Sequence, residues 1–239
     1  MSSNQVTLGK LTRREFRERM SSGELKACII PVAATEQHLE HLAMEHDWRS
    51  AQLISRLVAE KLAPHVLVAE ALQVGISEHH MNHIGTLTLR PGTFLAVVND
   101  LIRSTQHAGF QNILVLNGHG GNMVPCQSNW DQFVREFKIN VQFMSYWDVL
   151  TPEDALLLKS GNRIPDDMPG HAQEFETSIG LSAFPENVRT DVEQSDDSPK
   201  MATAETGREY LERIVPRVAA KLESMIDGSS TIEIPAFHP

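Results

Sequence analysis

The chain has 239 residues, 41% apolar and 22% charged, which suits one globular domain with a core large enough to need no staples. A net charge of −10 with histidine neutral argues against nucleic acid and anionic membrane as partners, since both are polyanions. Two cysteines, Cys28 and Cys126, supply neither a disulfide framework nor a cysteine-based zinc site.

In chain order, Met1 to Arg19 is polar and lacks the apolar run of a signal peptide. Thr12-x-x-Glu15 within it matches a capping box ahead of a short helix. No stretch approaches the roughly 18 consecutive apolar residues of a membrane span, so the cytoplasm is the expected compartment. Ala27 to Ala33 reads as a buried strand, and Val66–Val68, Ile113–Leu116 and Val141–Met144 read likewise. Asp47 to Leu62 carries Ala51, Ile54, Leu57 and Val58 at helical spacing, with Asp47 placed as an N-cap. Thr93 to His107 is a second amphipathic helix, stopped by Gly109. A third runs from Asn122 to Phe137, a fourth from about residue 172 to 183, and the longest from about 202 to 226. Glu193–Pro199 and Asp227–Ser230 have linker-like composition, but neither divides the chain, so one domain over 1–239 is expected. Strands alternating with helices predict an α/β fold, a three-layer α/β/α sandwich around a mostly parallel sheet. In such sheets ligands bind beyond the carboxyl ends of the strands, where the polar clusters fall.

Eleven histidines occur, seven of them between His38 and His83. Glu36-x-His38 follows the first strand, and Asp47 adds a second carboxylate. Carboxylate oxygens and imidazole nitrogens are common ligands of zinc, manganese and iron. A solvated loop with a capping Asp47 accounts for the spacing equally well, and His41 and His46 dilute the signal. Asn117-Gly118-His119-Gly120-Gly121-Asn122 is stronger, because a strand-to-helix turn with two glycines projects His119 into the crevice. The N–H groups at the following helix start favour an anion or a developing oxyanion. His171 and Glu176 flank the start of another helix and offer an acid/base pair or a further ligand; an acidic helix start explains them as simply. Ser77-Glu78-His79-His80 places two histidines on one loop, and spacing does not tell which ring faces inward. Tyr146 and Trp147, after the fourth strand, are candidates to line a pocket, though such aromatics more often pack in a core.

Taken in order, these pieces resemble the creatininase (creatinine amidohydrolase) family. Glu36-Gln37-His38 with His41-Leu42 and Asp47 is similar to its first motif, and Gly75-x-Ser77 with His80 and Gly85-Thr86 to its second. Asn117–Asn122 matches its N-G-H-G-G-N block, and His171-Ala172 with Glu176-Thr177-Ser178 its H-A-x-x-x-E-T-S block, so the resemblance spans about residues 29–180. It implies an α/β/α sandwich, a homo-oligomer such as a hexamer, a small-molecule substrate and two divalent metals. By that resemblance Glu36 and His119 hold one metal, His38 the other, Asp47 bridges them, and His171 transfers a proton. Creatininase has a carboxylate where this chain has Gly121, which leaves Glu176 to complete the second site. Leu39-Glu40 replaces the usual Gly-Pro, changing loop shape and adding charge, and His83-Ile84 replaces an aromatic-proline pair. Creatinine is therefore not the expected substrate. His80, Gly120, Gly121 and Trp147 are the candidate substrate contacts. The expected reaction is attack of metal-activated water on a C–N amide, in a cyclic amide or formamide, with His171 or Glu176 moving the proton. A metal-dependent hydrolase or isomerase acting on a keto-sugar ring is one alternative, and a non-catalytic scaffold that has kept the fold is another.

Overall fold

The computed structural model describes residues 4–161, 168–192 and 196–237. Glu193–Ser195 of the linker-like stretch lies outside the described residues. Four strands, β1 (Ala27–Val32), β2 (Val66–Val68), β3 (Asn112–Asn117) and β4 (Asn140–Ser145), form one sheet in the order β2-β1-β3-β4. Every pairing among them is parallel. A parallel sheet is covered on both faces, which is why β1 and β2 are apolar and buried throughout.

The alternation of side chains across the sheet divides the core in two. Ala27, Ile29, Val66, Val68, Leu114 and Leu116 face one layer of helices, α2 (His46–Lys61), α5 (Glu174–Ala183) and α6 (Ala204–Ile226). Cys28, Ile30, Val32, Leu67, Ile113 and Val115 face the other, α3 (Pro91–His107) and α4 (Met123–Phe137), with Phe16 and Met20 of α1 (Arg13–Ser21) at its margin. The architecture is thus the expected three-layer sandwich.

Local rules set the boundaries. Thr12 and Glu15 form both halves of the capping box before α1. Pro91 opens α3 two residues ahead of the expected start, because proline's fixed φ suits a first turn. Asp47, in contrast, does not cap α2: Glu45 holds that position, and Asp47 sits inside the first turn with its carboxylate turned inward.

The topology places the site. From β1 the chain winds outward to β2, then crosses back to lay β3 and β4 on the other side of β1. The winding reverses between the carboxyl ends of β1 and β3, whose last residues, Val32 and Asn117, are register partners. Open α/β sheets form their ligand crevice at such a switch point.

A separate buried carboxylate ties α6 to the turn after β4. Asp154, 1% exposed, accepts from Arg213 at 2.7 Å, from Arg217 and from the Thr151 N–H at 2.7 Å. Burial alone would raise its pKa, but the two guanidiniums hold it below the ordinary carboxylate range. Its contribution to stability is therefore present above the unfolded-state pKa of about 3.9 and lost as the pH falls through the lower folded value. Asp154→Ala is expected to cost about 2–3 kcal/mol at pH 7, since both arginines are partly hydrated. Thermal melts should show a midpoint lower by roughly 4–12 °C, with the gap from wild type closing below about pH 4. A gap that does not narrow with acid would refute this account.

Candidate metal centre

The loop after β1 supplies Glu36 and His38, the first turn of α2 supplies Asp47, the turn after β3 supplies His119, and the first turn of α5 supplies Glu176. These five side chains come from four segments of the chain, yet converge and are at most 3% exposed. Asp47 stands between the two histidines. Its Oδ1 is 2.9 Å from His38 Nε2, and its Oδ2 is 2.9 Å from His119 Nδ1. Glu36 Oε1 lies 3.3 Å from His119 Nδ1, and Glu176 Oε2 lies 3.7 Å from His38 Nε2.

The backbone aims both rings. His38 Nδ1 donates to the Glu36 carbonyl at 3.1 Å, and His119 Nε2 donates to the Ile76 carbonyl at 3.0 Å. Each ring thereby turns its other nitrogen toward the carboxylates, the arrangement that orients metal-binding histidines. Asn117 and Asn122 brace the turn that carries His119. Asn117 Nδ2 donates to the His119 carbonyl at 2.7 Å, while Asn122 accepts from Ile76 N–H at 3.0 Å and donates to Asn117 Oδ1 at 3.1 Å. Gly118 and Gly121 are required by close approach. A Cβ on Gly118 would lie 2.8 Å from the Asp47 carbonyl oxygen, and one on Gly121 would run into the Ile76 carbonyl beside the His119 ring.

The electrostatics are those of an over-filled acidic pocket. Burial opposes charge on His38, but Asp47, with Glu176 behind it, holds its pKa at about 9. Burial likewise opposes charge on His119, and Asp47 and Glu36 raise it to about 10. Asp47 is held well below the carboxylate range against its own burial by the same two rings. Glu176 is pushed up to about 8, mainly by burial, with Asp47 adding to the rise against the opposing pull of His38. Glu36 Oε2 is buried and meets no hydrogen-bond donor among the described residues. Buried carboxylates need compensating positive charge, so this donor set suits divalent cations such as zinc, manganese or iron. Among the described residues, three groups could each hold an ion, the donor atoms within each group lying within 4.8 Å of one another: His38–Asp47–Glu176, Glu36–His79–His119 and Glu36–His38–His171.

Above these residues opens a cleft of about 310 Å³, large enough for a small molecule. His79, His80, Gly120, Gly121, Pro169 and His171 line its walls. His171 sits just before α5, its side chain 30% exposed, with Nδ1 3.5 Å from Glu36 Oε1. Burial and the neighbouring His38 lower its pKa to about 4, so the ring is neutral at pH 7. His80 lies in the cleft, whereas His79 is the exposed ring of the pair yet still reaches the wall. Trp147 is a correction to the sequence reading. It is 4% exposed and packs edge-on against Tyr146 at 4.9 Å in the core, because β4 delivers both aromatics beneath α5 and α6 rather than into the cleft. His41 is paired with Thr177 Oγ1 at 2.9 Å, and His46 is buried behind His38 against Phe184. Sequence reasoning left open which of His79 and His80 faces inward and missed Pro169, for which spacing gave no signal, and it passed over Gln37 inside the first motif. Leu39, where the family motif has glycine, adopts the left-handed conformation at φ 54°.

The family model described as "Creatininase: Creatinine amidohydrolase" matches residues 9–201. Creatinine amidohydrolase of Pseudomonas putida is 29% identical over 204 residues, covering 79% of this chain and 76% of that protein. The 3-dehydro-scyllo-inosose hydrolase of Thermotoga maritima is 28% identical over 179 residues, covering 74% of this chain but 55% of that protein. A solved mutant creatininase of the Zn-Zn type superposes with a TM-score of 0.81 at 26% identity, covering 93% of this chain and 98% of that one.

Proposed function

The chain belongs to the creatininase family, and from that premise we propose that its cleft binds two divalent cations and hydrolyses a C–N amide bond in a small polar molecule, a cyclic amide or a formamide. Metal-dependent hydrolysis is the activity of the family, and the convergent carboxylates and imidazoles give this chain the matching donor set. One observation carries the reading: Asp47 offers one oxygen to each of two histidines that the backbone has already aimed. Glu36, Asp47 and His119 would hold one ion, and His38, Asp47 and Glu176 the other. Bound there, divalent metal supplies Lewis acidity toward a carbonyl oxygen and toward water.

The remaining work falls to the protein. Gly120, where an added Cβ would meet nothing within 4 Å, leaves one wall open for the substrate to approach the carboxylates. His80 and His171, at the mouth, meet its polar atoms, and His171 or Glu176 carries the proton to the departing nitrogen. Creatinine is not the substrate we expect, because Gly121 lacks a side chain and the exposed Glu40 adds charge beside the cleft. Zinc is the first choice of metal, with manganese and iron compatible. His38→Ala should lose metal and activity together from a starting content of about two ions per chain. Elemental analysis beside a screen of cyclic amides and formamides reads both, and an unchanged metal content and rate would sink the assignment.

A second reading has its own support. The likeness to 3-dehydro-scyllo-inosose hydrolase favours a keto-ring substrate, and including keto-sugars in the same screen separates the two. We further propose one domain over the whole chain, a homo-oligomer and a cytoplasmic setting. Leu39, Met81, Ile84 and Leu87 expose apolar surface on the loops beside the cleft, which supports assembly. No helix among the described residues is long and apolar enough to cross a membrane.

A further inference from the structure

Gln37, the middle residue of the first motif, has no role in the scheme above. Its side-chain amide lies at the mouth of the cleft between two imidazoles. Nε2 is 3.0 Å from His80 Nδ1 and 2.8 Å from His171 Nε2. Its oxygen points the other way and accepts from the Leu39 N–H at 3.0 Å. That bond settles the orientation of the amide, because a backbone N–H only donates and needs the oxygen opposite it. The NH₂ end therefore faces both rings, with one hydrogen for each.

An amide NH₂ has no lone pair to offer, so His80 Nδ1 and His171 Nε2 are both acceptors. In a neutral ring the proton then resides on the other nitrogen, Nε2 of His80 and Nδ1 of His171. Those are the two atoms turned toward Glu36 Oε1, at 3.8 and 3.5 Å. The two rings stack with centroids 4.4 Å apart, and His171 also packs on His38 at 4.6 Å, which holds the pair in place. The left-handed turn at Leu39 belongs to the same device, since it directs the anchoring N–H back at Gln37.

We propose that Gln37 is a positioning residue whose amide fixes His80 and His171 as N–H donors facing the cleft. Neither ring is then a metal ligand, which removes Glu36–His38–His171 from the possible ion sites. His171 then meets the substrate's oxygen as an N–H donor, and of the two proton carriers named above this favours Glu176. The identity of that oxygen rests on the amide-hydrolase reading; the tautomers do not.

The test is solid-state nitrogen NMR on sedimented, zinc-loaded, [¹⁵N]histidine-labelled protein, with signals assigned from His80→Gln and His171→Gln. His171 Nε2 and His80 Nδ1 should appear as bare, hydrogen-bonded nitrogens and their ring partners as protonated ones. In Gln37→Glu the polarity reverses, so the same two nitrogens should acquire protons, while Gln37→Leu should give mixed tautomers. A wild-type His171 that carries its proton on Nε2, or whose Nδ1 shows a metal-bound shift, overturns the proposal without recourse to any variant. Unchanged tautomers in both variants overturn it too. Zinc content of the same samples keeps the two readings apart: expected tautomers without zinc would refute the metal centre and leave Gln37 standing, and the reverse result would do the opposite.

Discussion

Asp47→Ala should empty both metal positions and lower the hydrolytic rate by about 10³-fold or more, because several kilocalories of Lewis-acid stabilisation disappear at once. The carboxylate is 2% exposed and places one oxygen 2.9 Å from each of two histidines on different segments. No neighbouring acid spans that gap: of these two rings Glu36 approaches His119, at 3.3 Å, and Glu176 approaches His38, at 3.7 Å. Without Asp47 the two buried rings lose the partner that keeps them charged, and they should shed their protons rather than remain unpaired cations. The variant is therefore expected to fold at neutral pH, which circular dichroism will check. Elemental analysis should fall toward zero. A variant that keeps the wild-type metal content would end the case for a bridging Asp47.

The second large effect concerns Glu176 and Gly121 together. Glu176→Gln should leave about one ion per chain, since the His38 position loses an anionic ligand while Glu36, Asp47 and His119 remain. Restoring a carboxylate at residue 121, as creatininase has it, should fail to compensate. Any side chain there displaces the Ile76 carbonyl, and that carbonyl accepts the Nε2 hydrogen of His119. Overpacking of this kind costs about 1–3 kcal/mol, and here the strain falls on a ring that must stay aimed. Gly121→Glu alone is thus expected to weaken metal binding, and the double variant to hold one ion or fewer. Recovery of the wild-type metal content in the double variant would show that Glu176 and a residue-121 carboxylate are interchangeable, contrary to this geometry.

Much of the fold was legible because burial leaves a periodic trace. The apolar runs at Ala27–Val32 and Val66–Val68 have no polar face, as parallel strands between two helical layers require, and the Thr12/Glu15 box marks a helix start by hydrogen bonding alone. Asp47 was misread as a cap because an acidic residue at a helix start satisfies the dipole wherever its side chain points. Only the tertiary neighbours His38 and His119 turn it inward. Trp147 misled for a similar reason: chain order places it after a strand, but not on a side of the sheet. The convergence of Glu176 with His38 spans more than a hundred residues, and no spacing rule records such a contact. The structural cost of Gly121 depends on the Ile76 carbonyl, a backbone atom with no sequence signature.

The division of the core by the sheet bears on how such enzymes diversify. Both apolar layers are built chiefly from strand and helix residues, whereas Glu36, His38, Asp47, His119 and Glu176 lie on loops or in first helical turns beyond them. Mutation can therefore redraft the rim, from Leu39-Glu40 to His83-Ile84, without disturbing the contacts that keep the chain folded. Selection then acts on specificity and on stability through nearly separate sets of residues. That separation accounts for how a chain 29% identical to a creatinine amidohydrolase and 28% identical to an inosose hydrolase can share one scaffold with relatives named for such different substrates.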